Sequence, residues 1–172
     1  RDAYEIFKYL TSHVQPDKLK RSFISPHQSF PQLKLMILAE IENCKNGLPS
    51  GIWLKCNSLV DHRLIELLYE ASQAGVPIEI VARGICCLRP GVAGLSETIT
   101  VRSIIGRFLE HGRIYVFANG GEFLSDKNIV MISSADLMPR NLRRRVECFM
   151  RLENPTIRKQ VLHQIMVALL RD

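Results

Sequence analysis

Long apolar runs are absent from this sequence. No uninterrupted hydrophobic stretch approaches the ~20 residues that a helix needs to cross a bilayer. Residues 1–10 mix charged and apolar side chains and lack the apolar core of a signal peptide. We therefore expect a cytoplasmic location and leave open whether a longer parent protein associates with membranes. Because the sequence does not begin with Met, we expect it to start inside such a longer protein.

Paired cysteine motifs are also missing. The sequence has five cysteines, an odd number, and no two of them are spaced as CxxC. The adjacent Cys86 and Cys87 cannot readily bind one metal ion together or form a disulfide with each other without strain. We therefore expect reduced thiols that mostly serve as small core residues, and no metal site.

Lysine is absent from the segment between Arg83 and Arg113, which nevertheless contains five arginines and only two acids, Glu97 and Glu110. The whole chain has a formal net charge of +6 and a pI near 9.2. Arginine matches phosphate oxygens with a planar, bidentate fork that lysine does not have. This bias indicates phosphate recognition, and a solvated basic face is the alternative. A second cluster comprises Arg140, Arg143, Arg144 and Arg145.

Hydrophobic spacing and turn residues predict alternating helices and strands. Helices are expected at 2–12, 31–46, 61–75 and from Pro155 onward. Strands are expected at 19–25, 51–56, 77–81, 99–103, 113–117, 129–133 and 146–151. The segment 84–96 reads as a long loop and 106–111 as a helical turn. The last helix should bury Ile157, Val161, Ile165, Ala168 and Leu169 on one face.

The strand–helix–strand unit over 51–81 implies parallel neighbours with a right-handed crossover. We therefore predict an α/β layered domain with a mixed, mostly parallel sheet flanked by helices. The long loop 84–96 leaves the carboxyl end of a parallel strand, where such sheets usually place their ligands.

One short pattern carries candidate chemistry. His111 and Arg113 stand two apart on an extended chain, so both side chains point to one side of the sheet. Ser133-Ser134-Ala135-Asp136 and Asn141 follow. This resembles half of a phospholipase-D-type site, with Arg113 in place of the usual Lys and Ser133 in place of Gly. A purely structural histidine is the alternative at this stage.

A wider set of strings surrounds that pattern. It includes Arg-Gly-Ile-Cys-Cys-Leu-Arg-Pro-Gly at 83–91, Gly-Arg-Phe-Leu-Glu-His at 106–111 and Met-Pro-Arg-Asn-Leu at 138–142. Asn-Ser-Leu-Val-Asp at 57–61 belongs to the same set. Together these strings resemble the C-terminal domain of the polyphosphate kinases that work through a phosphohistidine, over most of the chain from about Leu19.

The resemblance implies a phospholipase-D-like domain over residues 19–172, with 1–18 as a lead-in helix and linker from a preceding domain. It implies an enzyme that reversibly moves the terminal phosphate of ATP onto polyphosphate with Mg²⁺, whose ligands lie outside this chain. The phosphohistidine would lie in the preceding catalytic domain. The partners implied are ATP or ADP, inorganic polyphosphate and further copies in a homo-oligomer, and no nucleic acid.

The same resemblance assigns roles to two residues. Arg83 matches the family arginine that contacts nucleotide phosphates, and His111 matches the second active-site histidine. Arg113, Ser134 and Asn141 are candidate second contributors, with ordinary strand and turn roles as the alternative. The sequence departs from the family pattern at four positions: Leu137 for Trp, Arg143 for Asp, His62 for Pro and Gly112 for a small polar residue.

Two other functions stay open. One is a phospholipase-D-type phosphodiesterase assembled from single half-sites. The other is a non-catalytic module that binds polyphosphate or nucleotide. Because the phosphohistidine is not in this chain, we expect the isolated fragment to be inactive in synthesis.

Overall fold

The computed structural model describes residues 1–12, 14–16 and 19–171. Over these residues the helices are α1 (Asp2–Ser12), α2 (Ser29–Lys45), α3 (His62–Gln73), α4 (Pro139–Arg143), α5 (Pro155–Gln160) and α6 (Val167–Arg171), with a π-helical segment, Val161–Met166, joining the last two. The strands are β1 (Ser22–Ile24), β2 (Ile52–Cys56), β3 (Ile78–Ala82), β4 (Ile99–Arg102), β5 (Arg113–Phe117), β6 (Ile129–Ser133) and β7 (Cys148–Arg151).

The seven described strands form one sheet in the order β1-β7-β6-β5-β2-β3-β4. The β2–β3 and β3–β4 pairs are parallel, as the crossover through α3 predicts. The other four pairings in the described chain are antiparallel. The sheet is therefore mixed, as predicted, but the expectation of mostly parallel strands is wrong. The connections after β5 and β6 contain no long crossover helix, and parallel pairing requires one.

Two apolar clusters cover the two faces of the sheet. Alternate side chains of one strand point to opposite faces, so Tyr115 and Phe117 of β5 join the cluster under α2 and α3. Ile114 and Val116 join the second cluster, beneath the C-terminal helix. This gives the α/β layered arrangement, helix, sheet and helix, that the alternation of helices and strands predicts.

Local signals set the ends of α3. The side chain of Asp61 accepts a hydrogen bond from the Leu64 backbone N–H at 3.3 Å and caps the first turn. At the other end Gly75 has a φ of +93°, a left-handed conformation that glycine adopts at little cost. These two residues are the bounds, 61–75, that the sequence predicts for this helix.

Two local predictions are wrong. Residues 106–111 form no helix, and most of their side chains are exposed, so no packing supports a single isolated turn. In the last helix Leu162 and Met166 are buried, whereas Ile157 and Ile165 are exposed. The buried face therefore lies one residue later in the sequence than the face that the apolar spacing predicted. The π-helical segment also breaks the 3.6-residue period on which that prediction relied.

None of the helices within the described residues has the length and apolar character to cross a membrane. The predicted lead-in helix forms as α1, and the Asp2 carboxylate accepts hydrogen bonds from the backbone N–H groups of Lys20 and Arg21. Residues 13, 17 and 18 of the predicted linker lie outside the described residues, as does residue 172.

Candidate functional site

Strand ends from both halves of the sheet meet at one edge. The parallel strands β2 and β3 end at Cys56 and Ala82, which are register partners. The antiparallel strand β5 begins at this same edge, because Lys55 of β2 pairs with Ile114. Arg113 in turn pairs with Ser133 at the end of β6. The sheet therefore brings together segments from four separate parts of the sequence.

Arg83 follows β3 directly and lies half-buried at this edge. Its Nε donates to the Asn57 side-chain oxygen at 2.7 Å. Its backbone N–H donates to the Cys56 carbonyl at 3.3 Å, and the next N–H, of Gly84, donates to the Asn57 carbonyl at 2.7 Å. Asn57 thus orients the guanidinium through one nitrogen, and the Arg83 side chain makes no other hydrogen bond to the described residues.

Arg113 forms the main ion pair of the site. Its Nη2 lies 2.7 Å from Oδ2 of Asp136, and its Nε lies 3.2 Å from Oδ1. Both side chains are largely shielded, with 11% and 6% of their surface exposed. The bidentate contact raises the pKa of Arg113, because the carboxylate accepts hydrogen bonds from the guanidinium.

Asp136 also joins this pair to the neighbouring loop. Its Oδ1 accepts the backbone N–H groups of Asn57 at 2.8 Å and Ser58 at 3.2 Å. Burial raises the pKa of this carboxyl, but the hydrogen bonds from Arg113 and from the two N–H groups outweigh it and leave the pKa below its ordinary value. Asp136 therefore remains an anion that holds two loops of the site.

His111 precedes β5 and has an exposed side chain. Its carbonyl accepts a hydrogen bond from Nη1 of Arg113 at 2.8 Å. A continuous series of contacts thus runs from Arg83 through Asn57, Asp136 and Arg113 to the backbone of His111. The two residues that the resemblance singles out are linked by this series.

Ser134 and Asn141 meet at a different group. Both donate to the carboxylate of Glu147: the hydroxyl of Ser134 to Oε2 and Nδ2 of Asn141 to Oε1, the latter at 2.7 Å. Ser134 Oγ also accepts the Cys148 backbone N–H at 3.2 Å. Oδ1 of the buried Asn141 has no hydrogen-bond partner among the described residues.

Three polar residues of the site were not among the predicted site residues: Asn57, Asp136 and Glu147. All three stand in strings that resemble the family, Glu147 in Arg-Arg-Val-Glu at 144–147. The signal available in the sequence for Asp136 was a carboxylate placed shortly after the predicted strand 129–133.

Arg143 is engaged in a contact of its own. Its Nη2 lies 3.2 Å from Oδ2 of Asp61, the fully buried cap of α3. The interaction joins α4 to the start of α3 across 82 residues of sequence. The neighbouring Arg140, Arg144 and Arg145 are exposed.

The carboxylates of the site do not suit a magnesium ion. Both oxygens of Asp136 and both oxygens of Glu147 accept hydrogen bonds from protein groups. Within the described ranges, no three His, Cys, Asp or Glu side chains are grouped so that they could hold a metal.

Three basic side chains lie at one edge of the sheet: Arg83, Arg113, which is paired with Asp136, and the exposed His111. An arginine can bind phosphate oxygens, and a histidine at the same edge of the sheet can move a proton. Because Arg113 is already paired, Arg83 is the cation of this set with the most donors left for a ligand.

Comparisons with known proteins agree on one family. Residues 22–172 match the family described as polyphosphate kinase C-terminal domain 2. The polyphosphate kinase of Erythrobacter litoralis is 49% identical over all of this chain, which covers 24% of that protein. That of Prochlorococcus marinus is 47% identical, again over the whole chain and 23% of the relative. The chain thus spans about a quarter of the length of these relatives.

Solved structures extend the comparison. The polyphosphate kinase of Porphyromonas gingivalis superposes on 99% of this chain with a TM-score of 0.92 at 38% identity, and the chain covers 25% of it. NucT from Helicobacter pylori matches 86% of the chain with a TM-score of 0.56 at 11% identity and is covered over 94% of its length. A phospholipase D family member, Nuc from Salmonella typhimurium, matches 84% with a TM-score of 0.55 at 16% identity and is covered over 89%. The last two show a shared phospholipase-D-like fold only.

Proposed function

Because this chain belongs to the polyphosphate kinase C-terminal domain family, we propose that it forms one wall of a phosphoryl-transfer site in a longer polyphosphate kinase. The reaction is the reversible transfer of the terminal phosphate of ATP to inorganic polyphosphate. The nucleophilic histidine, which becomes a phosphohistidine, belongs to a preceding catalytic domain. Residues 1–18 lead in from that domain, and residues 19–172 form the C-terminal domain.

The observation that carries this proposal is the series of contacts between Arg83 and the backbone of His111. Phosphoryl transfer requires little covalent chemistry from the protein and depends on positioning and on neutralising charge. Arg83 is oriented by Asn57 and keeps donors free for nonbridging phosphate oxygens. His111, exposed before β5, donates a hydrogen bond or a proton to a leaving oxygen.

Arg113 contributes mainly through its pair with Asp136 and its hydrogen bond to the His111 carbonyl. Ser134 and Asn141 contribute through Glu147, and the unpartnered Oδ1 of Asn141 is the group of this cluster with an acceptor left over. We assign all three to holding the site rather than to contact with the transferred phosphate.

In this proposed function Mg²⁺ accompanies ATP or ADP, and its protein ligands lie outside this chain. The full-length protein acts as a cytoplasmic homo-oligomer. The basic composition, with a net charge of +6, suits the polyanionic substrates.

Substitutions in the full-length protein test the assignment. We expect Arg83→Ala and His111→Ala each to lower the rate of polyphosphate synthesis from ATP at least about a hundredfold, the usual scale for removing one positioned transition-state donor. Arg151→Ala and His163→Ala are matched controls on exposed side chains outside the site. Near-normal synthesis in either test variant would remove that residue from the site.

A phospholipase-D-type phosphodiesterase is the second candidate, because the fold is shared with members of that group. The bidentate pairing of Arg113 with Asp136 argues against it, since the basic residue of the pattern has most of its donors engaged. Turnover of a chromogenic phosphodiester by this chain that is lost in His111→Ala would favour it. A binding module without chemistry would instead bind polyphosphate both as the isolated chain and within the full-length protein. The full-length protein would then support no synthesis.

A further inference from the structure

Lys55 is a buried lysine next to the site. It lies on β2, and only 3% of its side chain is exposed. Lysine is almost never fully buried without partners, because its ammonium loses hydration. Burial accordingly lowers the pKa of Lys55. An apolar residue would fill this position without losing hydration. The groups that the ammonium contacts therefore indicate why a lysine stands here.

Those partners flank His111. Nζ of Lys55 donates to the Gly112 carbonyl at 2.8 Å and lies 3.5 Å from the Glu110 carbonyl. It also lies 3.7 Å from the Glu110 carboxylate. Lys55 therefore contacts the residue before His111 and the residue after it.

Arg113 binds the carbonyl between these two, that of His111. Three consecutive carbonyls, of residues 110, 111 and 112, thus accept hydrogen bonds from two cations. Each cation is anchored elsewhere: Lys55 by its strand and Arg113 by Asp136.

The segment that carries His111 is not held by secondary structure or by burial. Residues 103–112 form neither helix nor strand, and nine of these ten residues are exposed. Ile105 and Phe108 extend into solvent, with 95% and 78% of their surface exposed. The position of the imidazole consequently depends on the backbone contacts at the end of the segment.

We propose that Lys55 is a positioning residue for phosphoryl transfer: by binding the carbonyls on either side of His111, it holds that histidine in place for the reaction. This inference rests on the proposed function for its catalytic consequence. The contact between Lys55 and the His111 segment can be tested without it.

The first experiment uses NMR of the unmodified 172-residue chain. We expect the Lys55 ammonium protons to exchange with water far more slowly than those of the other lysines, and to show a hydrogen-bond coupling to the Gly112 carbonyl carbon. Exchange as fast as that of the other lysines would overturn the proposal. Because no substitution is involved, this result does not depend on whether a variant folds.

The second experiment measures kinetics of the full-length protein with Lys55→Met, which keeps an unbranched side chain but removes the donors, and Lys55→Arg, which keeps donors and charge. We expect Lys55→Met to lower kcat by about ten- to a hundredfold, as misplaced catalytic groups do, with KM for ATP changed less than about threefold. Lys55→Arg should recover at least part of this loss. A kcat of Lys55→Met within about twofold of the unmodified enzyme would overturn the proposal.

Glu40→Gln is the matched control. Glu40 is also buried and also binds two backbone groups, the N–H groups of Gly51 and Asn119. These lie before β2 and after β5, at the opposite edge of the sheet from Lys55. Equal loss of kcat in both variants would indicate a general structural effect and would overturn the proposal.

The two proposals fail in distinguishable ways. If the unmodified full-length protein makes no polyphosphate, the proposed function is wrong, whereas slow exchange of the Lys55 ammonium would still establish the contact. If synthesis is normal and depends on His111 but not on Lys55, only the role of Lys55 is wrong.

Discussion

Arg113 and Asp136 stand 23 residues apart in the sequence and form a bidentate ion pair, with heavy-atom distances of 2.7 and 3.2 Å. Around this pair the loop after β2, the start of β5 and the turn after β6 are joined. The pair therefore links the stability of the domain to the geometry of the proposed site.

Removing the charge of Asp136 should destabilise the domain. We expect Asp136→Asn to lower the free energy of unfolding by about 2–3 kcal/mol, because a mostly buried guanidinium loses its counter-ion. Urea unfolding followed by circular dichroism measures this. Asp126→Asn is the control, since Asp126 is 83% exposed in its pair with Arg158 and should contribute at most about 1 kcal/mol. Equal losses in the two variants would contradict the prediction.

Asp136 should also make stability depend on pH. The pKa of its carboxyl lies below the ordinary value: burial acts to raise it, and the hydrogen bonds from Arg113 and two backbone N–H groups more than compensate. The stabilisation is therefore complete above the unfolded pKa of about 3.9 and is lost as pH falls through the lower folded value. We expect the difference in unfolding free energy between the unmodified chain and Asp136→Asn to narrow below about pH 4. Urea unfolding from pH 7 to pH 3 checks this, and a constant difference would refute it.

Gly84 should tolerate no side chain. A Cβ at this position would lie 2.9 Å from the Asn57 carbonyl oxygen and 3.2 Å from Oγ of Ser58. We expect Gly84→Ala to lower the free energy of unfolding by about 1–3 kcal/mol, because the added Cβ must push the Asn57 loop away. Polyphosphate synthesis by the full-length protein should also fall, because Arg83 precedes this position.

Gly106→Ala provides the comparison for Gly84. A Cβ at Gly106 would meet nothing within 4 Å, so stability should change by less than about 0.5 kcal/mol. Thermal unfolding of both variants gives the difference. A larger loss of stability for Gly106→Ala than for Gly84→Ala would show that the close approach of Gly84 to the Asn57 carbonyl does not limit the residue at this position.

Arg143 should matter for packing rather than for polyphosphate binding. Its ion pair with Asp61 is 40% exposed on the arginine side, so we expect Arg143→Ala to lower the unfolding free energy by about 0.5–1 kcal/mol. Arg145→Ala, on an exposed neighbour, should change it by less than about 0.5 kcal/mol. Urea unfolding separates the two, and polyphosphate affinity measured on both variants should be unchanged by Arg143→Ala alone. A marked fall in that affinity would make Arg143 a substrate contact.

Much of the local structure was predictable, because its causes are local. The strands Arg113–Phe117 and Ile129–Ser133 have the predicted bounds. The cap at Asp61 and the left-handed Gly75 follow from side-chain chemistry and backbone freedom at single positions. Residues 106–111 were misjudged because a one-turn helix needs tertiary packing that the exposed segment does not have.

Sequence alone indicated the family, the seven strands, most of the helices, and Arg83 and His111 as candidate site residues. The short helix α4 was not predicted. The antiparallel direction of most strand pairs and the binding of Arg113 to Asp136 are visible only in the folded chain. Apolar spacing reports which residues are buried, whereas strand direction and ion pairs depend on which distant segments become neighbours. Lys55 illustrates this best: its charge is evident in the sequence, but its contacts on both sides of His111 exist only once β2 and β5 are paired.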